Sequence, residues 1–183
     1  MRRQEGSSLI EVLVSLLLIC IGLLGMAVAQ GRAVQYTHDA ALRSSAVMLA
    51  NELLELMRSN RGALLGANDR LAASSAYYKA DGDDLPTVTD SFDCAGRDRS
   101  GGGASVAKVD LGCWRREVER LLPVDDELLR RSFLICRSKD ESSPCSSVDG
   151  ASVRIQVAWR DARSGMCDGD DSDVCTYTLR TEL

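Results

Sequence analysis

The sequence has one histidine, His38, three prolines, and aromatics at only 4% of its 183 residues. A Ser-His-Asp triad or a histidine-rich metal site would have to be built around His38 alone. So few aromatics leave no material for a base-stacking platform. Basic residues are not in excess: 22 Lys and Arg face 27 Asp and Glu, a formal net charge of −5. Nucleic-acid binders present a basic face, so that class is set aside. No phosphate loop, nucleophile–base pair or C-x-x-C spacing is present. The chain is read as no enzyme, with no cofactor.

What the sequence does have is one long apolar run near its start. Arg2 and Arg3 precede Ser7-Ser8-Leu9-Ile10-Glu11-Val12-Leu13-Val14-Ser15, and the run continues to Ala29. Residues 7–29, as a helix, rise roughly 35 Å, enough to cross a bilayer. The two arginines keep the front end cytoplasmic and place the remainder outside. Glu11 does not fit a plain anchor. A carboxylate at membrane depth costs on the order of a few kcal/mol without a partner. The nearest suitable cation is an α-amino group freed by cleavage close to it, on this chain or on a packed neighbour.

Gly6-Ser7-Ser8-Leu9-Ile10-Glu11 followed by an apolar helix resembles the amino terminus of type IV prepilins and type II secretion pseudopilins. The longer string through Gly22-Leu23-Leu24-Gly25 is most similar to minor pilins of the PilV type. The resemblance covers about the first 30 residues and implies a leader of residues 1–6. It also implies cleavage after Gly6 by a prepilin peptidase that methylates the new terminus, and Glu11 as the fifth mature residue. One position departs: Ser7 stands where the family carries Phe or another apolar residue. Ala27-Val28-Ala29 also offers a small-residue cut site, so a secreted soluble protein beginning at Gln30 is the competing reading. Its apolar run is too long for a secretory leader, and Glu11 lies inside it.

Residues 30–61 contain no proline, and Leu42, Ala46, Leu49, Leu53 and Leu56 recur at helical spacing. One helix of about 50 residues is expected, roughly 80 Å long. Its first half is apolar all round (residues 7–29), and its second half is amphipathic and serves as spine for a head of residues 62–183. His38 is placed on the solvated face. Residues 97–105, rich in glycine, read as a flexible loop. A short helix is expected over 110–123, capped by Asp110 and stopped by Pro123. Strands are expected over 132–137, 152–160 and 174–181, the last two alternating cleanly. The fold class is α+β: a long, partly transmembrane helix packed on a small antiparallel sheet, in the manner of type IV pilins.

Cys20 lies in the apolar run and reads as a reduced, buried hydrophobe. Cys94, Cys113, Cys136, Cys145, Cys167 and Cys175 remain, and six cysteines allow 15 pairings. Neighbour pairing is the economical choice, and disulfides are favoured over zinc in a head outside the cytoplasm. Asp168, Asp170 and Asp173 offer oxygen ligands for calcium. The loop is short and lacks a later bidentate Glu, so a solvated hairpin turn is preferred.

The resemblance further implies other minor pilins, the major pilin, prepilin peptidase and an inner-membrane assembly platform as partners. It places the chain in the inner membrane with a periplasmic head, then in a pilus fibre at the cell surface. The function expected is initiation or tip assembly of a type IV pilus, in support of twitching motility and adhesion. A type II secretion pseudopilin is the alternative.

Overall fold

The computed structural model describes residues 9–66, 68–139, 145, 150–161, 167 and 173–182. Helix α1 runs over Leu9–Ser59. The first proline of the chain is Pro86, so nothing in this stretch removes a helical donor. The chain divides into two compact units, one ending at Ala40 and one beginning at Ala41.

In the second unit, α1 buries Leu42, Ala46, Leu49, Leu53 and Met57, together with Ala50 and Leu54. The expected stripe ended on Leu56, which is only half-buried, and Met57 takes its place. A repeat of 3.5 residues drifts by about 20° per heptad on a straight helix. By the last turn the core-facing position has therefore moved on by one residue.

A short 3-10 turn, Arg61–Ala63, closes the helix. Helix α2 then spans Gly103–Leu121 and α3 spans Asp126–Arg131. Leu122 adopts extended backbone (φ −124°, ψ 142°), as a residue before Pro123 must, and α2 ends there. The start of α2 differs from the expectation. The helix begins seven residues before Asp110, inside the stretch read as a flexible loop. Gly102 and Gly103 have φ of +54° and +73°, so the glycines make a left-handed entry into the helix. Asp110 is accordingly an interior residue of α2 and caps nothing.

Helix α3 was not anticipated from the sequence. Asp125 Oδ1 accepts from Leu128 N at 2.8 Å, an N-cap, with Asp126 and Glu127 in the first turn and Arg130 and Arg131 in the last. Those charges were legible signals, but six residues are too few for an apolar period to show.

Strands β1 (Leu134–Ser138), β2 (Ser152–Arg160) and β3 (Val174–Glu182) form an antiparallel sheet in that order. The register sets Ile135 against Ile155 and Ile155 against Leu179, and Val157 against Tyr177. Val153, Ile155, Val157 and Trp159 all point into the core, the alternation the sequence carried. The core joins this face to Leu49, Leu53 and Met57 of α1 and to Trp114 of α2. Trp114 meets Phe133 edge-on at 6.0 Å, and its Nε1 donates to Leu49 O at 2.8 Å. Full burial of each large apolar side chain contributes about 1.5–3 kcal/mol. The outer side of β1 is extended by Lys79, whose N–H and carbonyl both pair with Ile135 at 2.8 and 3.0 Å.

Candidate functional site

Two places concentrate function-bearing residues, one in each unit. In the first, Leu9, Ile10, Leu13, Leu17, Leu24 and Val28 of α1 are all exposed, Leu9 to 82%. None of the most apolar 18-residue window is buried. A soluble monomer rarely leaves so large a contiguous apolar surface open. The helix is long and apolar enough to cross a membrane. Its one described hydroxyl within residues 9–29 is satisfied on the helix itself: Ser15 Oγ donates to Val12 O at 2.9 Å. Hydroxyls satisfied on their own helix leave no unpaired donor for lipid to strand. Glu11 is exposed within this run. A side chain added at Gly22 or Gly25 would meet nothing within 4 Å. Those two glycines therefore open a smooth strip on the helix rather than accommodating a neighbour within this chain. Cys20 is exposed and free, and lies bare on the apolar surface rather than packed inside the chain. His38, also exposed, sits 3.9 Å from Asp39.

The second place is the Asp110 carboxylate, which has no accessible surface. Arg97 Nε and Arg99 Nε both donate to Oδ1 at 3.0 Å. Arg99 Nη2 and the Tyr77 hydroxyl donate to Oδ2 at 2.9 and 2.6 Å. Arg99 Nη2 reaches on to Leu56 O and Ser59 Oγ at the end of α1, and Arg97 donates to the Cys94 carbonyl. Asn60 completes the cluster: its Nδ2 donates to Tyr77 Oη (3.1 Å) and Gly103 O (3.0 Å), and its Oδ1 accepts from Gly103 N (2.8 Å). Burial pushes the Asp110 carboxyl up, but the hydrogen bonds from Arg99, Tyr77 and Arg97 outweigh it and hold it below its ordinary value. Burial and the bond to Asp110 push the Tyr77 hydroxyl up to about 12. Every valence of the carboxylate is committed to these donors, so the cluster is a clasp. It fastens the 94–102 segment and the start of α2 to the end of α1.

Three disulfides staple the second unit. Cys94 is bonded to Cys113, Cys136 to Cys145, and Cys167 to Cys175. The first anchors the segment that carries Arg97 and Arg99 directly to α2, one turn beyond Asp110.

Residues 1–27 match the prokaryotic N-terminal methylation motif. The match supports a type IV pilin-like or pseudopilin-like protein. No curated protein and no solved structure matches the chain. The pilin-like features agree with one another: a methylation motif, a helix able to span a membrane, a small antiparallel sheet covered by that helix's later turns, and three disulfides.

Of the residues singled out from the sequence, Gly6 and Ser7 fall within the matched motif but outside the described residues. Glu11 lies on α1. Of the three aspartates weighed for calcium, Asp168 and Asp170 lie outside the described residues, and Asp173 precedes β3 and accepts from Asp161 N at 2.8 Å. Sequence reasoning missed the clasp entirely. It also missed Lys79, which is 2% exposed and donates to Ala80 O, Arg130 O and Phe133 O at 3.1, 2.7 and 2.8 Å. Burial pushes this ammonium down from its ordinary value. Its three carbonyl partners include the last turn of α3, where a cation is favoured. Tyr77, Arg97, Arg99 and Asp110 are separated by up to 33 residues, and no local period joins them.

Proposed function

We propose that the chain is a minor pilin of the PilV type that takes part in initiating or tipping a type IV pilus, in support of twitching motility and adhesion. It would be held in the inner membrane by α1 with its head in the periplasm, then drawn into the fibre at the cell surface. Its partners would be other minor pilins, the major pilin, prepilin peptidase and the inner-membrane assembly platform. Nucleic acid is not among them. The chain is itself no enzyme but the substrate of one, with Gly6 and Ser7 flanking the cut, and it carries no cofactor, calcium at Asp168, Asp170 and Asp173 included.

The observation that carries this reading is Glu11, an acid inside an apolar, unburied run that lies within the matched methylation motif. After extraction from lipid, helices exchange oil for one another. A buried carboxylate then needs a cation, because an unpaired charge in a low-dielectric bundle is expensive. The freed amino terminus of an adjacent subunit supplies it and fixes the register of the stack. Mass mapping of the purified chain tests the first step. A methylated start at Ser7 is expected, whereas a retained Met1 or a start at Gln30 overturns the reading. Glu11→Ala is expected to be processed normally yet reach sheared fibres at a tenth or less of the normal amount. Undiminished incorporation would refute the role of Glu11.

A type II secretion pseudopilin is the second reading, supported by the same motif, which both machines share. A deletion strain separates them: loss of surface fibres favours the pilus, and loss of exoprotein secretion favours the secretion machine.

A further inference from the structure

The two sides of the sheet are finished differently. The outer side of β1 is taken up by Lys79. β3 pairs with β2 through nine consecutive partners, from Arg160–Val174 to Ser152–Glu182, without a bulge. Its second residue, Cys175, is bonded to Cys167. From Thr176 to Glu182, no hydrogen bond joins the outer side of β3 to any other segment among the described residues. This open stretch carries no proline, lysine or glycine, the residues that commonly blunt a strand edge. Tyr177 and Leu179 lie on its core side, half-buried at the margin of the core. Thr176, Thr178 and Arg180 lie on the other side.

On that other side Arg180 faces no carboxylate among the described residues. Arg180 stands directly across from Arg154 of β2. Its guanidinium donates to Ser152 Oγ at 2.8 Å and makes no ion pair with an Asp or Glu among the described residues. Like charges directly opposite on a sheet are unfavourable. The neighbouring position on the open side of Arg180 is therefore one where a carboxylate is favoured.

We propose that the outer edge of β3, over Thr176–Glu182, accepts an extended strand from another polypeptide as a fourth strand of the sheet. The guest alternates apolar and polar residues, covers Tyr177 and Leu179 with its apolar side, and sets an Asp or Glu beside Arg180. Backbone N–H and C=O groups supply the attraction, and the Tyr177–Leu179 margin and Arg180 supply the register. A second copy of β3 fits poorly. Paired antiparallel along the whole of Thr176–Glu182, a second copy sets its Thr178 beside Arg180 and supplies no carboxylate there. The inference does not rest on the assembly reading, since the edge is the same whichever machine holds the chain.

The test uses the full chain in detergent micelles and a synthetic heptapeptide, acetyl-Thr-Val-Glu-Val-Thr-Val-Thr-amide, read by hydrogen exchange. Added at millimolar concentration, the peptide is expected to slow exchange of amides within Thr176–Glu182 and to leave α2 unchanged. The same peptide N-methylated at alternate residues is expected to lose the effect, because it cannot complete the ladder. Arg180→Glu is expected to weaken binding about fivefold, and a peptide with Lys in place of Glu is expected to restore it to that variant. Protection that survives N-methylation, protection confined to other segments, or none at saturation overturns the proposal. So does concentration-dependent protection of the same residues without peptide, which would assign the edge to a second copy. Failure here leaves cleavage after Gly6 untouched, and failure of that cleavage leaves the edge untouched.

Discussion

The hydroxyl of Tyr77 donates to the buried Oδ2 of Asp110 at 2.6 Å, joining two segments 33 residues apart. Because Arg97 and Arg99 share the same carboxylate, one acid in α2 gathers the loose 94–102 segment onto the end of α1. The clasp organises the second unit.

Asp110→Asn removes the charge that the two arginines face and keeps the shape. Breaking one partner out of a buried pair costs about 3–5 kcal/mol, and the partial exposure of Arg97 and Arg99 (15% and 28%) places the cost near the lower end. Urea denaturation of the purified chain followed by tryptophan fluorescence is expected to show a loss of roughly 3 kcal/mol. An unchanged midpoint would mean that the cluster is ornamental.

The same group sets the acid limit. The carboxyl of Asp110 titrates below its ordinary value in the folded chain, so its contribution is complete above the unfolded value of about 4. It is lost as the pH falls through the folded value. The wild-type midpoint is expected to hold from pH 7 to about 5 and drop below about 4, with the drop reduced in Asp110→Asn.

At the alkaline end the sign reverses. Tyr77 keeps its proton to about 12 when folded, whereas an unfolded tyrosine releases it near 10. The folded state then binds more protons, so stability falls between those values by roughly 1.4 kcal/mol per pH unit. Tyrosinate absorbance is expected to show a phenol that titrates only near 12, missing in Tyr77→Phe.

Reduction of the Cys94–Cys113 bond acts on the same clasp from the other side. A double Cys94→Ser, Cys113→Ser variant is expected to lose about 2–4 kcal/mol. Combined with Asp110→Asn, the loss should be smaller than the sum, because both changes release the segment carrying Arg97 and Arg99. Strict additivity on a double-mutant cycle would show that bond and clasp act independently.

Gly112 checks the packing of α2. A Cβ built there would lie 2.8 Å from Val88 Cγ1 and 3.2 Å from the Thr87 carbonyl carbon, whereas at Gly101 it meets nothing. Gly112→Ala is expected to cost about 1–3 kcal/mol in the same urea assay. Gly101→Ala should be close to neutral, and equal effects would contradict the packing at Val88.

The sequence by itself determined whatever a period or a contiguous motif can write. The apolar run with Glu11, the alternation of Val153, Ile155, Val157 and Trp159, the stripe through Leu42, Leu49 and Leu53, and the stop at Pro123 all act within a few residues of one another. Hydrophobic burial rewards each such pattern locally, so each is visible in one dimension. Tertiary structure alone decided that Asp110 faces inward rather than capping a helix, because its partners come from positions 77, 97 and 99. It alone decided that Lys79 is buried against the Arg130 carbonyl of α3, and that, among the described residues, the outer edge of β1 is covered while that of β3 over Thr176–Glu182 is not. A charge enters the core only when distant groups converge to satisfy it, and convergence of that kind leaves no period in the chain.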